Sequence, residues 1–139
     1  DTQAILLVGS GKFHAISLAF ESKLPTFVLS RDNLERVSKE DVEKLERKHK
    51  AAIIKFHNSK KIGVLISTKP GQEKLKAALK LREKYKDKEF YMFINNDINI
   101  KEFENFGLNI WVNTACPRLD YDYPIINVSE LIDKRELVG

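Results

Sequence analysis

The residues best suited to chemistry lie around the single cysteine of the sequence, Cys116, in the run NTACPRLD. A lone cysteine in a globular chain is more often a small buried hydrophobic residue than a ligand or a nucleophile. Its neighbours change that expectation, because Pro117 fixes the backbone after it and Arg118 could stabilise a thiolate or hold an anionic substrate group. One sulfur cannot hold a metal cluster alone, so a cluster would need ligands from outside this chain.

Two further polar runs follow predicted strands. GSGKFH (9–14) is a glycine-bearing turn that enters a helix, where free backbone N–H groups favour an anion. It lacks both the phosphate-loop spacing and the third glycine of a dinucleotide-binding turn, so its spacing alone favours a tight turn over a ligand site. In STKPGQ (67–72), Thr68, Lys69 and Gln72 could point at a carboxylate or phosphate bound at a helix N-terminus.

Short apolar runs alternate with segments of helical period, a pattern typical of βαβ units around a mostly parallel sheet. Ligands in such folds bind beyond the carboxyl ends of the strands, which is where Cys116 and both polar runs would lie. The predicted strands are residues 4–9, 25–30, 61–67, 89–95, 110–115 and 124–129, and the predicted helices are 13–22, 38–58, 71–86 and 100–106, with a terminal helix or turn at 129–137. The third helix is predicted to face the core with Leu75, Ala78, Leu79 and Leu81.

The element pattern predicts an α/β protein in three parts. Residues 60–139 predict a Rossmann-like three-layer unit with a mostly parallel sheet, which is the C-terminal domain carrying the cysteine. Residues 1–33 offer only a strand, a helix and a strand, too little to be stable alone. They therefore either join the later sheet or form the end of a preceding related α/β domain, and we expect the latter. Residues 34–59 predict a bridging helix that begins after Ser38.

Composition limits the class of protein. With 42% hydrophobic and 32% charged residues, the chain can bury a core and is not a disordered tail. Its net charge of +4 comes from basic residues interleaved with acids, which indicates solvated helix faces and no direct nucleic-acid binding. No apolar run approaches the roughly 20 residues needed to span a membrane. One cysteine and no signal peptide before the first strand predict a cytoplasmic location.

Three runs resemble, in order, segments of the 2-(3-amino-3-carboxypropyl)histidine synthase family, the diphthamide synthases of archaea and eukaryotes. WVNTACPRLDYDYP (111–124) resembles the third cysteine motif of that family and is the most specific of the three. VGSGKFHAISLAF (8–20) resembles its glycine-Phe-His segment, and LISTKPGQ (65–72) resembles its STK-x-GQ loop. Together the runs extend the resemblance over nearly the whole chain.

The resemblance implies three related α/β domains, each contributing one cysteine to a central 4Fe–4S cluster. The open iron site of that cluster would bind S-adenosyl-L-methionine as substrate. An electron delivered through the cluster would release a 3-amino-3-carboxypropyl radical that attacks a histidine of translation elongation factor 2, the first step of diphthamide formation. Cys116 would then be the third cluster ligand, and the residues expected to contact the methionine moiety or the cluster are His14, Lys69, Gln72 and Arg118.

The first two cysteines of that family have no counterpart in this sequence. The resemblance therefore implies that the chain is inactive alone and works with missing N-terminal domains or a partner chain, in a homodimer or heterodimer. One alternative is a noncatalytic α/β scaffold subunit of the same synthase complex. A weaker alternative is a cysteine hydrolase that uses His14, although His49 and His57, on the bridging helix, are expected to be surface or packing residues.

Overall fold

The computed structural model describes residues 2–68, 75–95, 105–115 and 124–133. The chain divides into two compact units, residues 1–50 and 51–139, and the boundary falls inside its longest helix. In chain order the elements are β1 (Ile5–Val8), α1 (Lys12–Ser22), β2 (Thr26–Ser30), β3 (Asn33–Arg36), α2 (Lys39–Asn58), β4 (Lys61–Ser67), α3 (Leu75–Lys84), β5 (Glu89–Asn95), β6 (Trp111–Asn113), β7 (Ile125–Asn127) and a 3₁₀ helix (Val128–Glu130).

The first unit contains a three-stranded sheet in the order β1-β2-β3, separate from the later sheet. β1 pairs with β2 in parallel, and β2 pairs with β3 in antiparallel register. Helix α1 buries Ala15 and Ala19, and left-handed Lys23 (φ 59°) ends it. The first segment therefore forms its own sheet, one strand larger than the predicted strand-helix-strand.

The second unit contains a four-stranded sheet in the order β5-β4-β6-β7, in which every pairing is parallel. Strands β4 and β5 have the predicted bounds, 61–67 and 89–95. The nearly continuous apolar sequence of β4 suits a parallel strand that is covered on both faces, whereas β5, at the edge of the sheet, exposes Tyr91 and Ile94. The α/β class with a Rossmann-like parallel sheet is therefore confirmed.

The core of the second unit lies mainly on one face of this sheet. Because successive side chains of a strand point to opposite faces, Ile62, Val64 and Ile66 of β4 share that face. They pack with helix residues that include Phe56 of α2 and Leu81 of α3. Both helices thus cover the same apolar face.

Trp111 dominates the opposite face of the second sheet. It is 2% exposed and clusters with Leu65 and Phe93, whose ring centroid lies 5.0 Å from that of the indole. A Cβ atom on Gly63, the residue beside Trp111 in register, would overlap the indole ring. Only glycine therefore lets β4 and the tryptophan approach this closely.

The predicted ends and inward-facing residues of the helices can be compared with the structure. The Ser38 hydroxyl accepts a hydrogen bond from the Asp41 N–H at 3.1 Å, so the predicted cap of α2 is confirmed. Leu75, predicted to face the core, is instead 46% exposed, whereas Ala77 is buried. Residues 71–74 of the predicted third helix and 100–104 of the predicted fourth lie outside the described residues. Gly107, predicted to stop that fourth helix, has φ +64°, the conformation of a C-terminal cap.

Candidate functional site

The carboxyl ends of the parallel strands form one edge of the second sheet. Because β4, β5, β6 and β7 all run the same way, Ser67, Asn95, Asn113 and Asn127 end their strands at this edge. Ser67 is 2% exposed, and Thr68, which follows it, is exposed. Polar strand ends on this edge are where open α/β sheets bind ligands.

The Asn113 side chain is buried at this edge and forms two hydrogen bonds. It is 2% exposed, its amide nitrogen donates to Oδ1 of Asn127 at 3.0 Å, and its Oδ1 accepts from the N–H of Ala115 at 3.0 Å. Asn113 and Asn127 lie opposite each other in the β6–β7 register. Burial of both halves of the amide is tolerated because each half has a partner.

Thr114 fastens the same segment to the neighbouring strand on the other side. It is fully buried, and both its hydroxyl (2.9 Å) and its backbone N–H (3.0 Å) donate to the carbonyl of Leu65 on β4. Residues 113–115 are therefore bound to β7 and to β4 directly before Cys116 in the sequence.

Asn127 is itself held by the first turn of the 3₁₀ helix. Its side chain accepts from the backbone N–H of Glu130, and the Glu130 carboxylate accepts from the N–H of Asn127 at 3.2 Å. This reciprocal capping box fixes the Asn127 side chain that receives the Asn113 amide.

The carboxyl end of β1 carries the GSGKFH turn in the first unit. Gly9 has φ +143°, a conformation that other residues rarely adopt, and α1 begins without a side-chain cap. His14 is exposed on the first turn of α1, and a Cβ atom added to Gly11 would lie 2.9 Å from its Nδ1. Lys12, also on this turn, forms an ion pair with Asp41 at 3.4 Å.

Of the five predicted site residues, only His14 lies among the residues that the structure describes. Lys69, Gln72, Cys116 and Arg118 lie outside them, so the grouping of the five remains a prediction. The structure adds Asn113, Thr114 and Asn127, which sequence reasoning missed. Their signal was a polar residue at the end of each apolar run, in IWVNTA and PIINVS.

The other two histidines pack against aromatic rings, which confirms their predicted role. The His49 ring lies 4.8 Å from Phe20 between centroids, and His57 lies 5.5 Å from Phe56.

A pocket of about 340 Å³ lies in the first unit, at the start of β2 and of α2. Basic Lys23, Arg36 and Lys39 line it beside acidic Glu43 and Glu46. The mixed charges favour no single class of ligand.

The described residues contain no complete metal site. Within residues 2–68, 75–95, 105–115 and 124–133, no group of three or more His, Cys, Asp or Glu side chains could hold a metal ion. The sequence offers a single cysteine, so its donors fit one sulfur ligand and not a whole cluster. Among the described helices, none combines the length and apolar character that crossing a membrane requires.

Comparison with known proteins identifies similar chains. The family model of diphthamide synthesis proteins matches residues 1–132. Similar curated proteins include the 2-(3-amino-3-carboxypropyl)histidine synthases of Pyrococcus horikoshii, 36% identical over 124 residues, and of Methanocaldococcus jannaschii, 27% identical over 135 residues. These matches cover 86% and 88% of this chain but 35% and 37% of those proteins.

Two solved structures agree with this similarity. Crystal structures of Dph2 from Pyrococcus horikoshii, one with a 4Fe–4S cluster, match with TM-scores of 0.79 and 0.77 at 29% and 28% identity. Each match covers 99% of this chain and 41% of the other. The chain thus spans between a third and about two fifths of the length of these relatives.

Proposed function

Because the chain belongs to the diphthamide synthesis protein family, we propose that it is the C-terminal part of a synthase that modifies translation elongation factor 2. The reaction would transfer a 3-amino-3-carboxypropyl group from S-adenosyl-L-methionine to a histidine of that factor. Two relatives carry the name of this synthase, which supports a transferase role. We place the reaction in the cytoplasm, because the protein substrate is a translation factor.

We assign Cys116 the role of one thiolate ligand of a 4Fe–4S cluster. The observation that carries this assignment is the strand end 113–115, which is buried and bound to both neighbouring strands directly before the cysteine. A Dph2 relative was crystallised with such a cluster, which supports the cofactor. When bound, the cluster would supply the electron that cleaves the substrate.

Four other residues would hold the methionine moiety or the cluster in this proposal: His14, Lys69, Gln72 and Arg118. A carboxylate and an ammonium must stay fixed while the reactive group forms. Cationic and amide side chains beyond strand ends can hold both groups without being oxidised themselves.

The proposed activity requires polypeptide beyond this chain. The relatives are more than twice as long as the region that matches, and this sequence has one cysteine. We therefore propose that the chain acts with further N-terminal domains or a partner chain, in a homodimer or heterodimer, and is inactive alone.

The test is transfer of a labelled 3-amino-3-carboxypropyl group to elongation factor 2 by the fully assembled protein under reducing conditions. Cys116→Ala and Cys116→Ser should abolish labelling, because neither side chain supplies a thiolate. Lys50→Ala is the control, since this lysine is exposed on α2 and pairs only with Glu46 in the described structure. Undiminished labelling by both cysteine variants would reject the ligand role and favour the noncatalytic scaffold.

A further inference from the structure

Asn113, which is buried, pairs with the partly buried Asn127 at the ends of β6 and β7, where an apolar side chain at position 113 would suit the sheet better. Asparagine is disfavoured in strands, and an amide costs free energy to bury unless all its polar atoms are paired. Asn113 meets this requirement with two different partners, the side chain of Asn127 and the backbone of Ala115. An apolar residue at 113 could fill the space but could not accept from the Ala115 N–H.

The two hydrogen bonds of Asn113 connect the Asn127 side chain to the backbone of Ala115, just beyond the end of β6. Asn127 is itself fixed, because the capping box with Glu130 restrains its side chain. The Ala115 N–H lies two residues beyond Asn113, after the last ladder partner of β6. The asparagine thus continues the restraint of β6 after strand pairing has ended.

We propose that Asn113, held by Asn127, is a positioning residue that fixes the backbone at Ala115, the residue directly before Cys116 in the sequence. Thr114 supplies the opposite restraint through the Leu65 carbonyl. The inference rests on the proposed function only in giving Cys116 a chemical role. The hydrogen bonds that restrain the backbone at Ala115 all lie among residues that the structure describes.

Amide hydrogen exchange of Ala115 tests the restraint directly. In Asn113→Ala we expect this amide to exchange about five- to tenfold faster relative to the core amide of Val64, the effect of losing one hydrogen bond. Asn113→Asp keeps an oxygen that can accept from the Ala115 N–H but loses the donor to Asn127, so it should retain only part of the protection. Val112→Ala is the matched control: it removes buried volume one residue away and leaves both asparagine bonds intact.

The rate at which iodoacetamide alkylates Cys116 tests the consequence for the thiol. Asn113→Ala should raise this rate several-fold, Asn113→Asp less, and Val112→Ala should leave it near the wild-type value after correction for stability. An unchanged Ala115 amide in Asn113→Ala would overturn the proposal. So would an equal rise in alkylation for Val112→Ala, because that would reflect general loosening.

Iron content of the assembled protein separates this inference from the proposed function. If Cys116→Ala keeps its iron while Asn113→Ala shows both predicted changes, the ligand role fails and the positioning role stands. If Cys116→Ala loses iron while Asn113→Ala leaves the exchange rate of the Ala115 amide unchanged, the ligand role stands and the positioning role fails.

Discussion

Replacing Gly63 with alanine would disturb the close contact between β4 and Trp111. The new methyl group would overlap the six-membered ring of Trp111, which is 2% exposed and leans on Phe93. The backbone cannot retreat easily, because the Gly63 N–H donates to the Ile110 carbonyl at 3.1 Å. The indole must therefore move.

The expected cost follows from this overlap. Overpacking a well-filled core costs about 1–3 kcal/mol of the free energy of unfolding. Alanine regains up to about 1 kcal/mol, because it is less flexible than glycine in the unfolded chain. We expect a net loss of about 1–2 kcal/mol, which should lower the urea midpoint by roughly 1 M for a protein of this size. Displacement of the ring should also shift its fluorescence emission toward that of a solvated indole.

Urea unfolding followed by fluorescence measures both quantities, because Trp111 is the only tryptophan of the sequence. Gly107→Ala is the control: Gly107 has φ +64°, and among the described residues, its two chain neighbours aside, no atom lies within 4 Å of an added Cβ, so this variant should lose stability without shifting native emission. A Gly63→Ala protein with wild-type midpoint and emission would refute the packing argument.

Three further predictions concern helix ends and are checked by urea unfolding. The Lys88 side chain is 5% exposed, and its ammonium donates to the His57 and Ser59 carbonyls, both at 2.9 Å. Lys88→Met should therefore lower the free energy of unfolding by about 1–3 kcal/mol. Lys86→Met, at an exposed lysine, is the control, and an equal loss in both variants would contradict the prediction. Ser38→Ala should cost about 1 kcal/mol by uncapping α2, and Ser38→Asp should restore most of it. The Ser38 hydroxyl and, to a smaller extent, the Lys12 ammonium stabilise the ionised Asp41 carboxyl and lower its pKa below the ordinary value of 3.8. The stability that this carboxylate contributes is therefore present above pH 3.8 and lost as the pH falls through the lowered pKa, and Asp41→Asn should remove this part of the acid dependence of unfolding.

The sequence predicted those elements whose stability comes from local pattern. β4 and β5 are continuous apolar runs, and α2 begins at a serine followed three residues later by an acid, so their bounds could be read directly. β3 was missed because its sequence is mostly polar and its two-residue turn lacks glycine. Arg31 takes the left-handed conformation there (φ 52°), which the usual Asn-Gly or Asp-Gly signal of a two-residue hairpin would not have predicted.

The candidate site shows a different limit. The sequence points to Cys116, but the anchors before it depend on which strands are neighbours. Asn113 meets Asn127 because β6 pairs with β7 in one register, and Thr114 meets Leu65 because β4 lies on the other side. Such contacts join residues 14 and 49 positions apart and follow from the order of the sheet. Periodicity along the chain does not encode that order.

Iron and acid-labile sulfide content, measured for the chain alone and for the assembled protein, tests the central claim most directly. A chain that donates one cysteine ligand should hold almost no cluster alone, and the assembled protein should hold a full 4Fe–4S cluster that Cys116→Ala depletes. Full iron and sulfide on the isolated chain, or an undepleted cluster in the assembled Cys116→Ala protein, would contradict it.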